Sequence, residues 1–90
     1  MLLPNKAAII TGGARGMGRA IARRYSAEGC AVAIADVLDT DAKNTVDEIN
    51  GKGGKAVYYR TDVTNSSQVK STVAQAIGKF GKVDILVNCA

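Results

Sequence analysis

A chain of 90 residues can form at most one small domain, and its 47% apolar and 22% charged residues exclude a disordered or low-complexity chain. No apolar run approaches the roughly 20 residues of a membrane-spanning helix, since Lys, Arg, Asp or Glu interrupts each candidate. The net charge of +4 comes from twelve Lys and Arg scattered between Lys6 and Lys82, which argues against a nucleic-acid partner and suits attraction for a small anionic ligand.

The N-terminus, Met1 to Lys6, lacks the basic and apolar regions of a secretory leader, so a cytoplasmic location is expected. The first element is then the apolar run Ala7 to Ile10, too short for a helix and without strict alternation, as in a strand buried on both faces. Runs of the same kind recur at Ala31 to Ala35, Ala56 to Tyr59 and Ile85 to Val87. Between them the spacing becomes helical. Met17, Ile21 and Tyr25 form one stripe, Ala42, Val46 and Ile49 a second, and Val69, Val73, Ile77 and Phe80 a third.

Asp39 or Thr40 suits the cap of the second helix and Thr64 or Asn65 that of the third, while Gly29, Gly51 and Gly81 follow the three helical stretches. Gly51 to Gly54 reads as a loop. The order β-α-β-α-β-α-β with right-handed crossovers predicts the α/β class. It specifies a Rossmann-type doubly wound parallel sheet, truncated after the fourth strand, with strand order 3-2-1-4. The first two helices are expected on one face and the third on the other, leaving a crevice where the winding reverses. Residues 1–90 would then be one incomplete dinucleotide-binding half-domain.

The first strand runs directly into Thr11-Gly12-Gly13-Ala14-Arg15-Gly16-Met17-Gly18, with helical spacing from Met17. A glycine-rich turn at that junction aims backbone amides and the positive end of a helix at a diphosphate. Gly12 would allow the tight exit, Gly16 a close approach of backbone to ligand, and Gly18 the packing of the helix on the sheet. Glycines also mark ordinary turns. The strand before, the helix after and Asp36 at the end of the second strand favour the binding reading.

Asp36 stands where a carboxylate accepts from both ribose hydroxyls and repels a 2′-phosphate, which favours NAD over NADP; its plainer role is to lead the second helix. Arg15 offers a guanidinium to phosphate within the turn, but no basic residue follows Asp36 at Val37 or Leu38. A P-loop is excluded because Met17 and Arg19 follow Gly16 and Gly18. A methyltransferase also uses a glycine-rich first turn with an acidic second-strand end, and stays as an alternative.

Thr11-Gly12, Gly16-Met17-Gly18, Asp36, Asp62-Val63 and Asn88-Cys89-Ala90 together resemble the short-chain dehydrogenase/reductases over the whole chain. The spacing T-G-x-x-x-G-x-G and two further motifs in order make the resemblance specific. It implies that Asp62 accepts from the adenine amino group beside the Val63 backbone, Asp62 otherwise serving as a capping carboxylate. It also implies that Asn88, Cys89 and Ala90, which align with the family's N-N-A-G with Cys in the second position, line the ribose on the nicotinamide side.

The family's catalytic serine, Tyr-x-x-x-Lys pair and further asparagine would all lie beyond residue 90. Tyr25, Tyr58 and Tyr59 read as packing residues, and neither Tyr58 nor Tyr59 has a lysine four positions on. Cys30 and Cys89 likewise read as packing residues, with no metal or disulfide, in a chain without histidine. The resemblance therefore implies the N-terminal cofactor-binding part of an NAD(P)-dependent oxidoreductase that interconverts an alcohol and a carbonyl. The ninety residues alone would be inactive, and the full-length protein would be a homo-oligomer acting on a small molecule. A non-catalytic nucleotide-binding or dimerising module is the other alternative.

Overall fold

The computed structural model describes residues 2–89. Four strands and three helices alternate as β1 (Ala7–Thr11), α1 (Gly16–Ala27), β2 (Ala31–Asp36), α2 (Asp39–Gly51), β3 (Ala56–Arg60), α3 (Ser66–Phe80) and β4 (Ile85–Asn88). The strands form one parallel sheet in the order β3-β2-β1-β4, the winding expected of the sequence. Thr11 pairs with Ala35 and Asn88, and Asp36 pairs with Arg60. This register brings the residues that follow the strands to a common edge of the sheet.

Apolar runs without alternation become the central strands because both faces are covered. Ala8 and Ile10 of β1, with Val32 and Ile34 of β2, pack against Ala22 of α1 and Ala42 and Ile49 of α2. Ile9, Ala33 and Ala35 meet Ala76 and Phe80 of α3 on the other face. The first two helices thus share one side of the sheet and the third has the other to itself.

Two of the expected helix stripes are displaced. In α1 the buried residues are Gly18 and Ala22, with Ile21 and Tyr25 packed beside them, while Met17 is 75% exposed in the first turn. In α3 Thr72 and Ala76 are buried and Val69, Val73 and Ile77 lie outside. The Thr72 hydroxyl hydrogen-bonds that of Thr61, both buried, and this polar contact turns the small-residue row toward the sheet. The branched row beside it stays uncovered, as does Leu86 on β4.

The caps divide in the same way. Asn65 caps α3, its side chain accepting the Gln68 N–H at 3.1 Å, and Gly81 closes the helix. Neither Asp39 nor Thr40 caps α2, whose N-cap is Leu38. Asp39 is turned instead toward Tyr58 and Arg60 of β3. Gly51 ends α2 rather than following it, and the loop beyond turns at Gly53.

Glu48 ties α1 to α2, receiving Arg23 at 2.8 Å, Arg19 at 3.1 Å and Lys52 at 3.8 Å. These partners, the Arg23 hydrogen bond foremost, lower its pKa from 4.5 to about 2. A carboxylate depressed on folding stabilises the fold above its unfolded pKa, and that contribution is lost as the pH falls through the folded one. The denaturant midpoint of the protein is therefore expected to fall between pH 4.5 and about 2 by more than that of Glu48→Gln. Parallel pH profiles would show the bridge to be inert.

Candidate functional site

The chain leaves β1 through a turn whose backbone favours glycine. Gly12 and Gly16 have φ of 69° and 62°, in the left-handed region. The Gly12 N–H donates to the Ala35 carbonyl at 2.9 Å, which holds the exit of β1 against the end of β2. At Gly18 a Cβ would lie 2.0 Å from the Gly12 carbonyl oxygen. The close approach is therefore of helix to turn, where the sequence suggested helix to sheet.

Ala14, wholly buried, is held from both sides. Its N–H donates to Asp36 Oδ2 at 3.1 Å, and its carbonyl accepts from the buried Thr45 hydroxyl at 3.0 Å. Arg15 is the N-cap of α1 and makes no side-chain cap bond, and the first turn carries no acidic residue. First-turn amides have no intrahelical acceptor, so this end of α1, with Arg15, Gly16 and Met17 exposed around it, is open to an anion.

Asp36 lies at the other side of the turn, half-buried. Its Oδ1 accepts the Val37 and Leu38 N–H groups at 2.7 and 3.1 Å while Oδ2 takes that of Ala14. The carboxylate is thus oriented by three backbone donors; Oδ1 takes two of them, and Oδ2, with one, retains acceptor capacity for a hydroxyl. These bonds stop at Leu38, ahead of the first residue of α2, so the carboxylate faces the crevice without capping the helix.

Gly12, Asp36, Asp62 and Val63 line a crevice of about 120 Å³ with Ala35, Val37 and Thr61. Asp62 Oδ1 accepts the Thr64 hydroxyl at 2.7 Å and its N–H at 2.9 Å, and these bonds hold the carboxyl below the usual range. Asp62 does not cap α3, since Asn65 does. Across β1, the Thr11 hydroxyl donates to Asn88 Oδ1 at 2.9 Å and the Cys89 N–H donates to the Thr11 carbonyl at 3.1 Å. Asn88 and Cys89 therefore stand beside the same turn. Ala90 lies outside the described residues.

Cys30 is buried, which pushes its thiol pKa up, and Cys89 is half-buried; both thiols are free. Among the described residues no group of acidic, histidine or cysteine side chains could hold a metal, and no helix is long and apolar enough to cross a membrane. A larger concavity of about 1430 Å³ lies at the amino ends of the strands, lined by Lys6, Lys55 and Lys82 among others. It contains none of the candidate residues.

Sequence reasoning missed Thr45, Tyr58 and Arg60. Thr45 stood as a polar residue one position from the Val46 stripe, the available sign of a buried bond. Tyr58 packs as expected, but its hydroxyl also reaches the Asp36 carbonyl at 3.1 Å.

Residues 6–90 match the model of the family described as short chain dehydrogenase. The chain is 43% identical over 83 residues to the short-chain reductase protein NovJ of Streptomyces niveus, covering 92% of this chain and 32% of that protein. A dehydrogenase/reductase from Sinorhizobium meliloti 1021 superposes with a TM-score of 0.95 at 40% identity, over 98% of this chain and 35% of that one. A 7α-hydroxysteroid dehydrogenase complexed with NADH and 7-oxo glycochenodeoxycholic acid superposes with a TM-score of 0.93 at 42% identity, over 96% and 34%. The chain spans about a third of the length of these relatives. The match goes with the dehydrogenase alternative rather than the methyltransferase one. Together, the glycine turn, the sheet order and the extent of the match place the chain in the short-chain dehydrogenase family.

Proposed function

We propose that residues 1–90 are the cofactor-binding half-domain of a cytoplasmic, homo-oligomeric NAD-dependent oxidoreductase that interconverts an alcohol and a carbonyl. The observation that carries this reading is the Asp36 carboxylate, oriented by three backbone donors beside a glycine turn whose helix end is uncapped. The similarity to a dehydrogenase that holds NADH supports it.

The residues fit such a group. Amides at Gly16 to Gly18 and the Arg15 guanidinium would meet the diphosphate, and Asp36 would accept from the adenosine ribose. Asp62 and Val63 would border the adenine, with Asn88 and Cys89 on the nicotinamide side together with Ala90. The cofactor supplies the hydride. This chain's part is to bind and orient, because none of its three tyrosines stands four residues before a lysine. Proton transfer is then the work of other residues of the whole protein.

The test is a titration of the purified natural product with NADH and NADPH. NADH should bind about tenfold more tightly, and Asp36→Asn should weaken NADH by about tenfold, the scale of one charge-assisted bond. S-adenosylmethionine should not compete. Tighter binding of NADPH would overturn the choice of cofactor, and binding of neither would overturn the function.

A further inference from the structure

Three side chains outside the glycine turn converge on the backbone that carries Asp36. From β3, Arg60 donates to the Val37 carbonyl at 3.0 Å and to Asp39 Oδ2 at 2.8 Å. The Tyr58 hydroxyl donates to Asp39 Oδ1 and lies 3.1 Å from the Asp36 carbonyl oxygen. Residues 36–39 are therefore held on both sides. The Asp36 and Val37 carbonyls meet groups of β3, the Leu38 carbonyl accepts the Ala42 N–H of α2, and the amides of Val37 and Leu38 are taken by Asp36 itself.

The side chains of Arg60 and Asp39 are 62% and 49% exposed. An exposed ion pair contributes little to stability, so its consequence is to be sought in what it positions. Asp36 and Arg60 are register partners in adjacent parallel strands, which places a guanidinium one strand away from the ribose-binding carboxylate. Guanidinium has the donor fork that matches phosphate, and here its Nη1 donates to both Asp39 Oδ2 and the Val37 carbonyl, so the cation is paired with a carboxylate. The charges are firm at neutral pH: the Tyr58 bond, followed by Arg60, lowers the Asp39 pKa, while burial followed by the Asp39 bond raises Tyr58 to about 12.

We propose that Asp39, Tyr58 and Arg60 form a clamp that positions the Asp36 carboxylate for a ribose 2′-hydroxyl and keeps the Arg60 guanidinium from serving a 2′-phosphate. The clamp rests on the reading that this crevice takes a dinucleotide. Its members act through Asp36 and are positioning residues. The clamp gives a second reason for NAD preference, which the charge of Asp36 alone does not supply: the nearby cation that would welcome a 2′-phosphate is already paired, through Nη1, with the Asp39 carboxylate.

The experiment measures dissociation constants of the natural full-length product and its variants for NADH, NADPH and 2′-deoxy-NADH. Asp39→Asn should shift the NADH/NADPH affinity ratio about tenfold toward NADPH, the scale of one charge-assisted contact, and adding Arg60→Met should take back the gain in NADPH binding. Tyr58→Phe and Arg60→Met singly should weaken NADH a few-fold while leaving 2′-deoxy-NADH unchanged, a contrast that a merely structural role would not produce. The single variants also serve if Asp39→Asn does not fold. An unchanged ratio, or equal losses for all three ligands, overturns the clamp while leaving the cofactor reading intact. Wild-type protein that binds none of them overturns that reading and the clamp with it.

Discussion

Gly18→Ala is expected to destabilise the protein by about 3 kcal/mol, the upper part of the range for overpacking a tight contact. The added methyl would lie 2.0 Å from the Gly12 carbonyl oxygen and 2.7 Å from its carbon, and neither is the movable end of a side chain. Relief requires α1 to draw away from the turn. That motion would strain the Gly12 bond to Ala35 and the Ala14 bond to Asp36. Urea unfolding followed by circular dichroism measures the effect. Gly16→Ala is the control: its Cβ would meet nothing within 4 Å, but φ is +62°, so the cost should be only the roughly 1 kcal/mol of a left-handed alanine. Equal costs at the two positions would contradict the close approach of α1 to Gly12.

Ile34→Ala should cost about 4 kcal/mol, since it empties a wholly buried site at the middle of β2. Ile34 packs in the α1 and α2 core, and a Cβ on Gly13 would lie 3.1 Å from its Cγ2. The cavity would open under the glycine turn. A loss of NADH affinity is therefore expected at temperatures where the variant is still folded. Ile9→Ala on the opposite face should also destabilise strongly but leave affinity unchanged, because Ile9 packs with the α3 cluster. Thermal melts with ligand titrations separate the two effects, and equal affinities for the two variants would show that the turn does not depend on Ile34.

The strands and their order were legible because β1 and β2 are covered on both faces, so their apolar runs have no alternation to confuse them. The glycine turn was legible because its residue types follow from backbone geometry rather than from distant partners. The covered face of α3 was not. Val69, Val73 and Ile77 satisfy helical spacing, yet the adjacent Thr72 and Ala76 are the buried row, and Thr72 is drawn inward by Thr61, which precedes the helix and lies beyond β3. The role of Asp39 was hidden for the same reason. A carboxylate where a helix begins reads as its cap, and only the pairing of β3 with β2 brings Tyr58 and Arg60 to it.

The most direct test of the account is amide chemical-shift mapping of the isotopically labelled protein with NADH. The largest changes are expected at Gly12 to Gly18, at Asp36 and Val37, at Asp62 and Val63, and at Asn88 and Cys89, which meet at the carboxyl ends of the strands. Changes confined to Lys6, Lys55 and Lys82 around the larger concavity, or none on saturation with NADH, would contradict it.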